Sequence, residues 1–155
     1  MTGERRAYKH IERALSPRGV LTTTAAISKR MAGVRRSGTD AERRVRKAAS
    51  QAGLRYRLDN RDLPGSPDLA NRRRKWAIFV HGCFWHRHEG CKRASTPKSN
   101  RAFWVAKFKR NQERDRRVEM ELRARGYEVI VVWECGAVEL EGLVGRPAVS
   151  DAALP

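Results

Sequence analysis

The sequence predicts an α/β protein in which helices flank a small mixed sheet. Two strongly apolar runs, at residues 76–80 and 127–133, each have the composition of a buried strand. Between them the pattern predicts two successive helices, the first capped by Ser99 and the second running from about residue 111 to 125. Strands separated by helices are typical of one α/β core, and 155 residues are enough for one such domain.

The other predicted elements precede the first apolar run. The segment from Thr39 to Glu42 has the spacing of a capping box, apolar residues follow at helical spacing, and Gly53 stops the run. We therefore expect a helix over residues 40–52, in which Glu42 already has a structural role. The remaining predictions are a half-buried strand at 54–58, a turn-rich loop at 59–67, a short strand at 68–70 and a basic hairpin turn at 71–75.

The second of the two long helices has an acidic residue on its buried face. Asp115, Val118 and Leu122 stand at positions i, i+3 and i+7, so a carboxylate shares the side that turns inward. The apolar stripe of the helix before it consists of Phe103, Trp104 and Phe108. The strand that follows then delivers Glu134 and Cys135 to one end of the sheet.

The charge of the chain indicates a polyanionic partner. Lys and Arg number 34 against 17 Asp and Glu, which gives a formal net charge of +17. Arginine binds phosphates and guanine edges in bidentate fashion, so the excess favours nucleic acid. No apolar run approaches the about 20 residues of a membrane span, and the first residues lack an apolar signal core. We expect a cytoplasmic protein that is nucleoid-associated when bound to DNA, with no membrane partner.

Three segments make up the predicted domain organisation. Residues 1–24 have no sustained apolar period and are expected to be a flexible tail. Residues 25–135 are expected to form the folded domain, which begins with a basic, nucleic-acid-contacting arm at 25–38. That arm carries Lys29, Arg30 and Met31. Residues 136–155 lack a clear period and are expected to be a loose tail.

The stretch from Val80 to Cys91 concentrates the side chains that carry chemistry. It holds two of the three cysteines and three of the four histidines. Cys83, His88 and Cys91 supply three zinc-type ligands in one loop, and Cys135 can arrive as the fourth from a neighbouring strand. A set of three cysteines and one histidine is a closed tetrahedron, as in structural zinc sites. The alternative is that these residues are unrelated core thiols.

Two histidines remain outside the zinc set. His81 and His86 flank the loop, and an imidazole can accept or donate a proton near neutral pH. Asp68 stands at the start of a short strand, where a hard carboxylate suits magnesium. Phosphodiester hydrolysis needs such a combination. The alternative is that both histidines are ordinary hydrogen-bonded polar groups.

Five segments of the chain, taken together, carry a family resemblance. They are LPGSPD at 63–68, FVHGCFWH at 79–86, FW at 103–104, ERDRR at 113–117 and VWEC at 132–135. With these segments the sequence resembles the very-short-patch repair (Vsr) mismatch endonucleases, from about Ser28 to Cys135. The resemblance implies a restriction-endonuclease-like fold of the PD-(D/E)xK type. It also implies an enzyme that nicks one DNA strand beside a T:G mismatch left by deamination of 5-methylcytosine.

The resemblance also implies catalytic residues, position by position. Asp68 matches the carboxylate that binds catalytic magnesium, and the backbone carbonyl of Val80 matches a further ligand. His86 matches the acid/base, oriented by Glu42. Two more positions match the active site: His81, where related nucleases of this fold use a lysine, and Asp115, a further acidic residue.

The same resemblance implies structural zinc and a set of DNA contacts. The implied zinc ligands are Cys83, His88, Cys91 and Cys135. The implied major-groove aromatics are Phe84, Trp85 and Trp104, and Met31 matches a residue that enters the minor groove beside the basic Lys29 and Arg30. The chain departs from the family pattern in having Val80 where a threonine is usual. It also has one more residue between His88 and Cys91.

Two rival hypotheses come from other functional classes. One is a catalytically silent DNA-binding module that kept the fold, and the other is a general basic nucleic-acid-binding protein with a zinc loop. The leading hypothesis expects double-stranded DNA with a mismatch as partner, and both catalytic Mg²⁺ and structural Zn²⁺. It further expects a monomer on DNA and a functional link to a cytosine-5 DNA methyltransferase.

Overall fold

The computed structural model of the protein describes residues 38–136. Its elements are α1 (Asp40–Gln51), β1 (Leu69–Asn71), β2 (Trp76–His81), α2 (Cys83–His86), α3 (Arg101–Ala124) and β3 (Glu128–Trp133). Residues 38–95 and 108–136 form one compact unit, and residues 96–107 belong to another. Within the described range, none of the helices has the length and apolar character that crossing a membrane requires.

Three strands form a mixed sheet in the order β1-β2-β3. β1 runs antiparallel to β2, with Leu69 opposite Ile78. β2 and β3 are parallel, and their pairing ends with His81 opposite Trp133. Parallel neighbours need a long crossover connection, and α3 lies in the segment that joins them. The predicted mixed α/β sheet is therefore confirmed.

Helices cover both faces of this sheet because successive strand residues point to opposite sides. On one face Ile78 packs with Val45 and Ala49 of α1. On the other face Ala77 packs with Leu122 of α3. All five residues are at most 1% exposed. Full burial of an Ile, Val or Leu side chain contributes about 1.5–3 kcal/mol, so each face has its own apolar anchor.

The helix predicted over residues 40–52 is confirmed as α1, and so is its capping box. The hydroxyl of Thr39 accepts a hydrogen bond from the N–H of Glu42 at 3.2 Å. The carboxylate of Glu42 in turn accepts from the N–H of Thr39 at 3.4 Å. These reciprocal bonds satisfy two backbone donors that an uncapped helix would leave without partners.

Two predicted elements are wrong. The alternating segment at 54–58 forms no strand, only an isolated bridge between Arg57 and Ala70. β1 is three residues long, so it offers that segment little to pair with. The two helices predicted between Ser99 and residue 125 are one continuous helix, α3. α3 is continuous because no glycine or proline interrupts it. Two helices were predicted because the apolar residues of its first and second halves lie on different faces, which resembles a break between helices.

Three predictions of the domain organisation fall mainly outside the described residues. They concern the tail at 1–24, the basic arm at 25–38 and the tail at 136–155. Of these segments the structure describes only Gly38 and Gly136.

Among the glycines of residues 38–136, Gly65 should be the one least able to accept a side chain. Its φ is +69°, and an added Cβ would lie 2.4 Å from Cγ1 of Val118. Gly65→Ala should therefore combine a left-handed penalty of about 1–2 kcal/mol with overpacking of about 1–3 kcal/mol. Urea unfolding followed by circular dichroism measures the loss.

Gly53→Ala is the matched control for this substitution. Gly53 has a φ of +66°, but an added Cβ would meet nothing within 4 Å. The unfolding free energy of Gly53→Ala should therefore fall only by the left-handed backbone penalty. Equal losses of unfolding free energy in the two variants would contradict the clash with Val118.

Candidate active site and metal cluster

Both groups of candidate residues lie where β2 and β3 end. Because these strands are parallel, their carboxyl ends meet at one edge of the sheet, with His81 opposite Trp133. β2 leads directly into α2, a single turn of helix. Glu134 and Cys135 follow β3. The loop that follows β2 therefore lies against the end of β3.

The first group is the metal cluster of Cys83, His88, Cys91 and Cys135, whose ligand atoms all lie within 4.8 Å of one another. The Nδ1 atom of His88 is 3.1 Å from Sγ of Cys135 and 3.5 Å from Sγ of Cys83. Three thiols and one imidazole are the donor set of a closed tetrahedral zinc site. The structure thus brings together the four predicted ligands, and the cluster could hold a metal ion.

Burial disfavours the thiolate form of Cys83, the form in which a cysteine binds a metal ion. Cys83 is 0% exposed. Burial, together with hydrogen bonding to the Cys135 thiol, raises the pKa of Cys83 to about 12. The neutral thiol is therefore favoured until a metal ion takes the place of its proton. Metal binding should release protons and weaken as the pH falls.

Arg87 separates the metal cluster from the second group of residues. It lies between His86 and His88 in a left-handed conformation, with φ 59° and ψ 60°. This backbone turn lets His88 face the metal cluster while His86 points elsewhere. The Arg87 guanidinium lies 4.6 Å from the centre of the Phe108 ring and donates to the carbonyl of Ser95 at 3.1 Å. These contacts offset a left-handed cost of about 1–2 kcal/mol.

His86 is paired with Asp115. The Nδ1 atom of His86 lies 2.6 Å from Oδ2 of Asp115, and each side chain is 19% exposed. Arg114 donates to the other carboxylate oxygen at 2.8 Å. Partial burial raises the pKa of Asp115, but its bonds to His86 and Arg114 outweigh burial and hold the pKa below its usual value. Asp115 is therefore an anion that can orient the imidazole and stabilise its protonated form.

His81 stacks on His86, with ring centres 3.8 Å apart and planes 10° from parallel. Burial and the neighbouring His86 lower the pKa of His81 to about 4, so His81 is neutral at pH 7. Ligand atoms of His81, His86 and Asp115 are close enough together to hold a metal ion. However, stacked rings direct their nitrogen lone pairs along parallel planes rather than toward one ion. This trio is better arranged for proton transfer.

A cavity of about 590 Å³ brings together four of the five predicted catalytic residues, all except Glu42. Its lining includes Asp68, Val80, His81, His86 and Asp115. Asp68 accepts a hydrogen bond from the N–H of Val80 at 2.7 Å. Burial raises the pKa of Asp68 despite that bond, and the like charge of Glu42 adds to the rise. Within residues 38–136 no cation forms an ion pair with Asp68, so a divalent ion would offset its burial.

The prediction that Glu42 orients His86 is corrected by the structure. The Glu42 carboxylate accepts from the N–H of Gly38 at 2.8 Å and pairs with Arg46 at 3.3 Å. Its helix, α1, covers one face of the sheet, whereas α3, which carries Asp115, covers the other. The contact that orients His86 therefore comes from Asp115.

The predicted DNA-contacting aromatics are divided between the two compact units. Phe84 and Trp85 are both half-buried, and their rings meet edge to face at 5.0 Å. Phe84 also meets Phe108 edge to face at 5.1 Å. Trp104 belongs to the unit at residues 96–107, where its ring lies 5.5 Å from that of Phe103. Three further predicted DNA contacts lie outside the described residues: Lys29, Arg30 and Met31.

Sequence reasoning missed two residues that contact these sites. Arg114 bonds to Asp115, and the signal for it was an adjacent pair of opposite charges in the ERDRR segment. Glu134 accepts a hydrogen bond from the N–H of Cys83 at 3.1 Å. The signal for Glu134 was its place between the end of a strand and a metal-type cysteine.

The chain is similar to known proteins of one family. The family model for the DNA mismatch endonuclease Vsr matches residues 20–93. The Type II nicking enzyme V.XorIIP of Xanthomonas oryzae pv. oryzae is 43% identical over 113 residues, which cover 73% of this chain and 82% of that protein. The Type II nicking enzyme V.NmeAIP of Neisseria meningitidis is 42% identical over 113 residues, covering 73% and 80%. The DNA mismatch endonuclease Vsr of Escherichia coli is 37% identical over 130 residues, covering 84% and 79%.

Cys135→Ser should weaken metal binding without touching the pocket that holds Asp68. The substitution replaces a soft thiolate ligand with a hydroxyl. Metal affinity should therefore fall by more than the roughly tenfold that a change outside the ligand set produces. Metal analysis of the purified protein and unfolding with and without a chelator measure the effect. Glu89→Gln, in the same loop but exposed and outside the metal cluster, is the control. Unchanged metal content in Cys135→Ser would contradict the cluster.

Proposed function

Because this chain belongs to the family of Vsr DNA mismatch endonucleases, we propose that it nicks one DNA strand at a T:G mismatch by magnesium-dependent hydrolysis. One observation carries the proposal: Asp68 and the His86–Asp115 pair line the same cavity. A half-buried carboxylate that can bind a metal ion and a charge-paired histidine are two kinds of group that phosphodiester hydrolysis uses. Neither the catalytically silent module nor the general nucleic-acid-binding protein requires these two groups to line one cavity.

In the proposed reaction His86 moves the proton. Asp115 is ionised, so the Nδ1 atom of His86 carries the proton of their 2.6 Å bond and Nε2 keeps its lone pair. Nε2 accepts a proton from the water as its oxygen bonds to the phosphorus. The P–O bond to the sugar oxygen at the nick then breaks, and that oxygen takes a proton from solvent. The imidazolium that forms is then stabilised by Asp115, and neutral His81, stacked on it, adds no competing charge at pH 7.

Asp68 and the backbone carbonyl of Val80 are the proposed magnesium ligands. When bound, magnesium supplies positive charge that stabilises the negative charge developing on the phosphate. Asp68 fits this role because its pKa is raised by burial and it lacks an ion-pair partner within residues 38–136. The bond from the Val80 N–H fixes the carboxylate against β2. A backbone ligand also tolerates valine where the family usually has threonine.

Mismatch recognition is proposed for the aromatic residues of α2. Phe84 and Trp85 stand between a metal ligand and the catalytic histidine, so a base step that they enter lies close to the cavity. Unstacking a base step costs a few kcal/mol, and a wobble mismatch lowers this cost. Trp104 and Met31 are proposed as further contacts at the mismatch. Lys29, Arg30 and the net charge of +17 support phosphate contacts with counterion release.

The remaining parts of the proposal concern the framework and the context. The metal of the Cys83 cluster is zinc, with a structural role, and the fold is of the restriction-endonuclease-like PD-(D/E)xK type. The enzyme acts as a cytoplasmic monomer on double-stranded DNA. Lesions arise from deamination of 5-methylcytosine, so a cytosine-5 DNA methyltransferase supplies the substrate for repair.

Asp68→Ala should abolish nicking of a duplex that contains a T:G mismatch while leaving the zinc content unchanged. The substitution removes the proposed magnesium carboxylate but no member of the metal cluster. Nicking is measured on an end-labelled duplex with magnesium, with chelator, and on the matched T:A duplex. Asp62→Ala is the control, because Asp62 is an exposed acid paired with Arg72.

Three results of this assay would each contradict part of the proposal. Persistent nicking by Asp68→Ala would remove Asp68 from the mechanism. Equal nicking of T:G and T:A duplexes would remove the mismatch specificity. No nicking by the unaltered protein, together with binding to the mismatch, would support the catalytically silent module instead.

Asp115→Asn should slow nicking by roughly 10²- to 10⁴-fold, the range expected when a histidine loses its orienting carboxylate. The amide can no longer hold the His86 tautomer or stabilise its protonated form. Single-turnover rates at saturating protein isolate this step from DNA binding. Glu121→Gln, on the exposed side of the same helix, should nick at the normal rate. A normal rate in Asp115→Asn would show that the pair is only structural.

A further inference from the structure

Glu134 bonds through its side chain to the turn that carries the catalytic loop. Its Oε1 atom accepts a hydrogen bond from the N–H of Cys83 at 3.1 Å, across 51 residues of sequence. Cys83 is the first residue of α2, and the N-cap residue Gly82 makes no side-chain capping bond. A helix start leaves its first N–H groups without partners. Glu134, which directly follows β3, therefore provides a cap that Gly82 lacks.

The backbone of Glu134 is also held on both sides. Its N–H donates to the carbonyl of His81 at 3.0 Å, which extends the pairing of β3 with β2. Its carbonyl accepts from the Arg44 guanidinium at 2.6 Å, which ties it to α1. The Glu134 carboxylate is thus attached to a backbone segment that is itself held in place. Its hydrogen bond can therefore fix the position of Cys83.

Gly82 lies beside both the Glu134 carboxylate and the Trp85 indole. A Cβ at Gly82 would lie 3.4 Å from Cδ1 of Trp85 and 3.7 Å from Oε2 of Glu134. The carboxylate and the indole therefore flank the glycine closely. The bond from Glu134 to Cys83 is therefore next to Trp85, one of the two residues proposed to enter the DNA.

We propose that Glu134 is a positioning residue for nicking, which fixes α2 so that His86 stays against Asp115 while Cys83 stays in the metal cluster. The inference rests on the proposed function. α2 has only four residues, and so short a helix has no stability of its own. If the cap is lost, the turn can rotate, and its two ends carry a metal ligand and the proton-transfer histidine.

Length and charge of the side chain can be tested separately. Glu134→Gln keeps the length and an acceptor oxygen, so it should retain most of the activity. Glu134→Asp keeps the charge but shortens the reach, and Glu134→Ala removes the acceptor. Both should lower the single-turnover rate by roughly 10- to 100-fold, as losses beside a metal site do, with little change in DNA affinity. Glu128→Ala is the control, because Glu128 is an exposed acid at the start of β3, the strand that Glu134 follows.

A second readout follows the metal cluster directly. With cobalt in place of zinc, thiolate ligation gives absorption bands that report the geometry of the four ligands. Glu134→Asp and Glu134→Ala should shift or weaken these bands, and Glu134→Gln should not. This readout needs no substrate. It therefore tests the position of Cys83 even if the unaltered protein nicks no mismatched duplex, a result that would count against the proposed function alone.

Three outcomes would overturn the role of Glu134. One is normal rates and normal cobalt bands in both Glu134→Asp and Glu134→Ala. Another is a Glu134→Gln variant as impaired as Glu134→Asp, since length would then be irrelevant. The third is an equal loss in Glu128→Ala. If Glu134→Ala does not fold, comparison of the Asp and Gln variants still decides.

Discussion

The parallel pairing of β2 with β3 is the constraint on which both candidate sites depend. Its last pair, His81 with Trp133, brings two chain segments that are about fifty residues apart in sequence to one edge of the sheet. Parallel strands place their carboxyl ends together, and the crossover through α3 makes this pairing reachable. His81 is the last residue of β2, and the ligands of the metal cluster and His86 lie in the segments that follow β2 and β3, so a shift of register would separate them.

Three consecutive residues at the end of β3 hold the loop that follows β2. The Trp133 ring stacks on His88 at 4.3 Å and meets His81 edge to face at 5.3 Å. Glu134 bonds to the backbone of the loop, and Cys135 joins the metal cluster. Trp133 thus contacts one histidine from each group of residues. The sites are chemically distinct, but one strand end supports both.

The sequence predicted the parts of this structure that depend on local pattern. The capping box of α1 and the two apolar strands follow from spacing and composition, and the ligand types of the metal cluster follow from residue identity. Local pattern says little about contacts between residues that are far apart in sequence. The family resemblance implied that Glu42 orients His86, whereas the structure pairs His86 with Asp115. The two acids lie on helices that cover different faces of the sheet, and spacing within a segment does not encode which face a helix covers.

Because α2 is a single helical turn, its position depends on contacts in both the metal cluster and the cavity. A single helical turn fixes several backbone dihedrals for one or two hydrogen bonds, so it is unfavourable alone. Cys83 begins the turn inside the metal cluster, and His86 ends it against Asp115. Just beyond, Arg87 adopts a left-handed conformation, and its side chain is held by Phe108 and Ser95. Because both ends of the turn are fixed by contacts with distant residues, its geometry is set by the sheet edge and the metal cluster rather than by its own sequence.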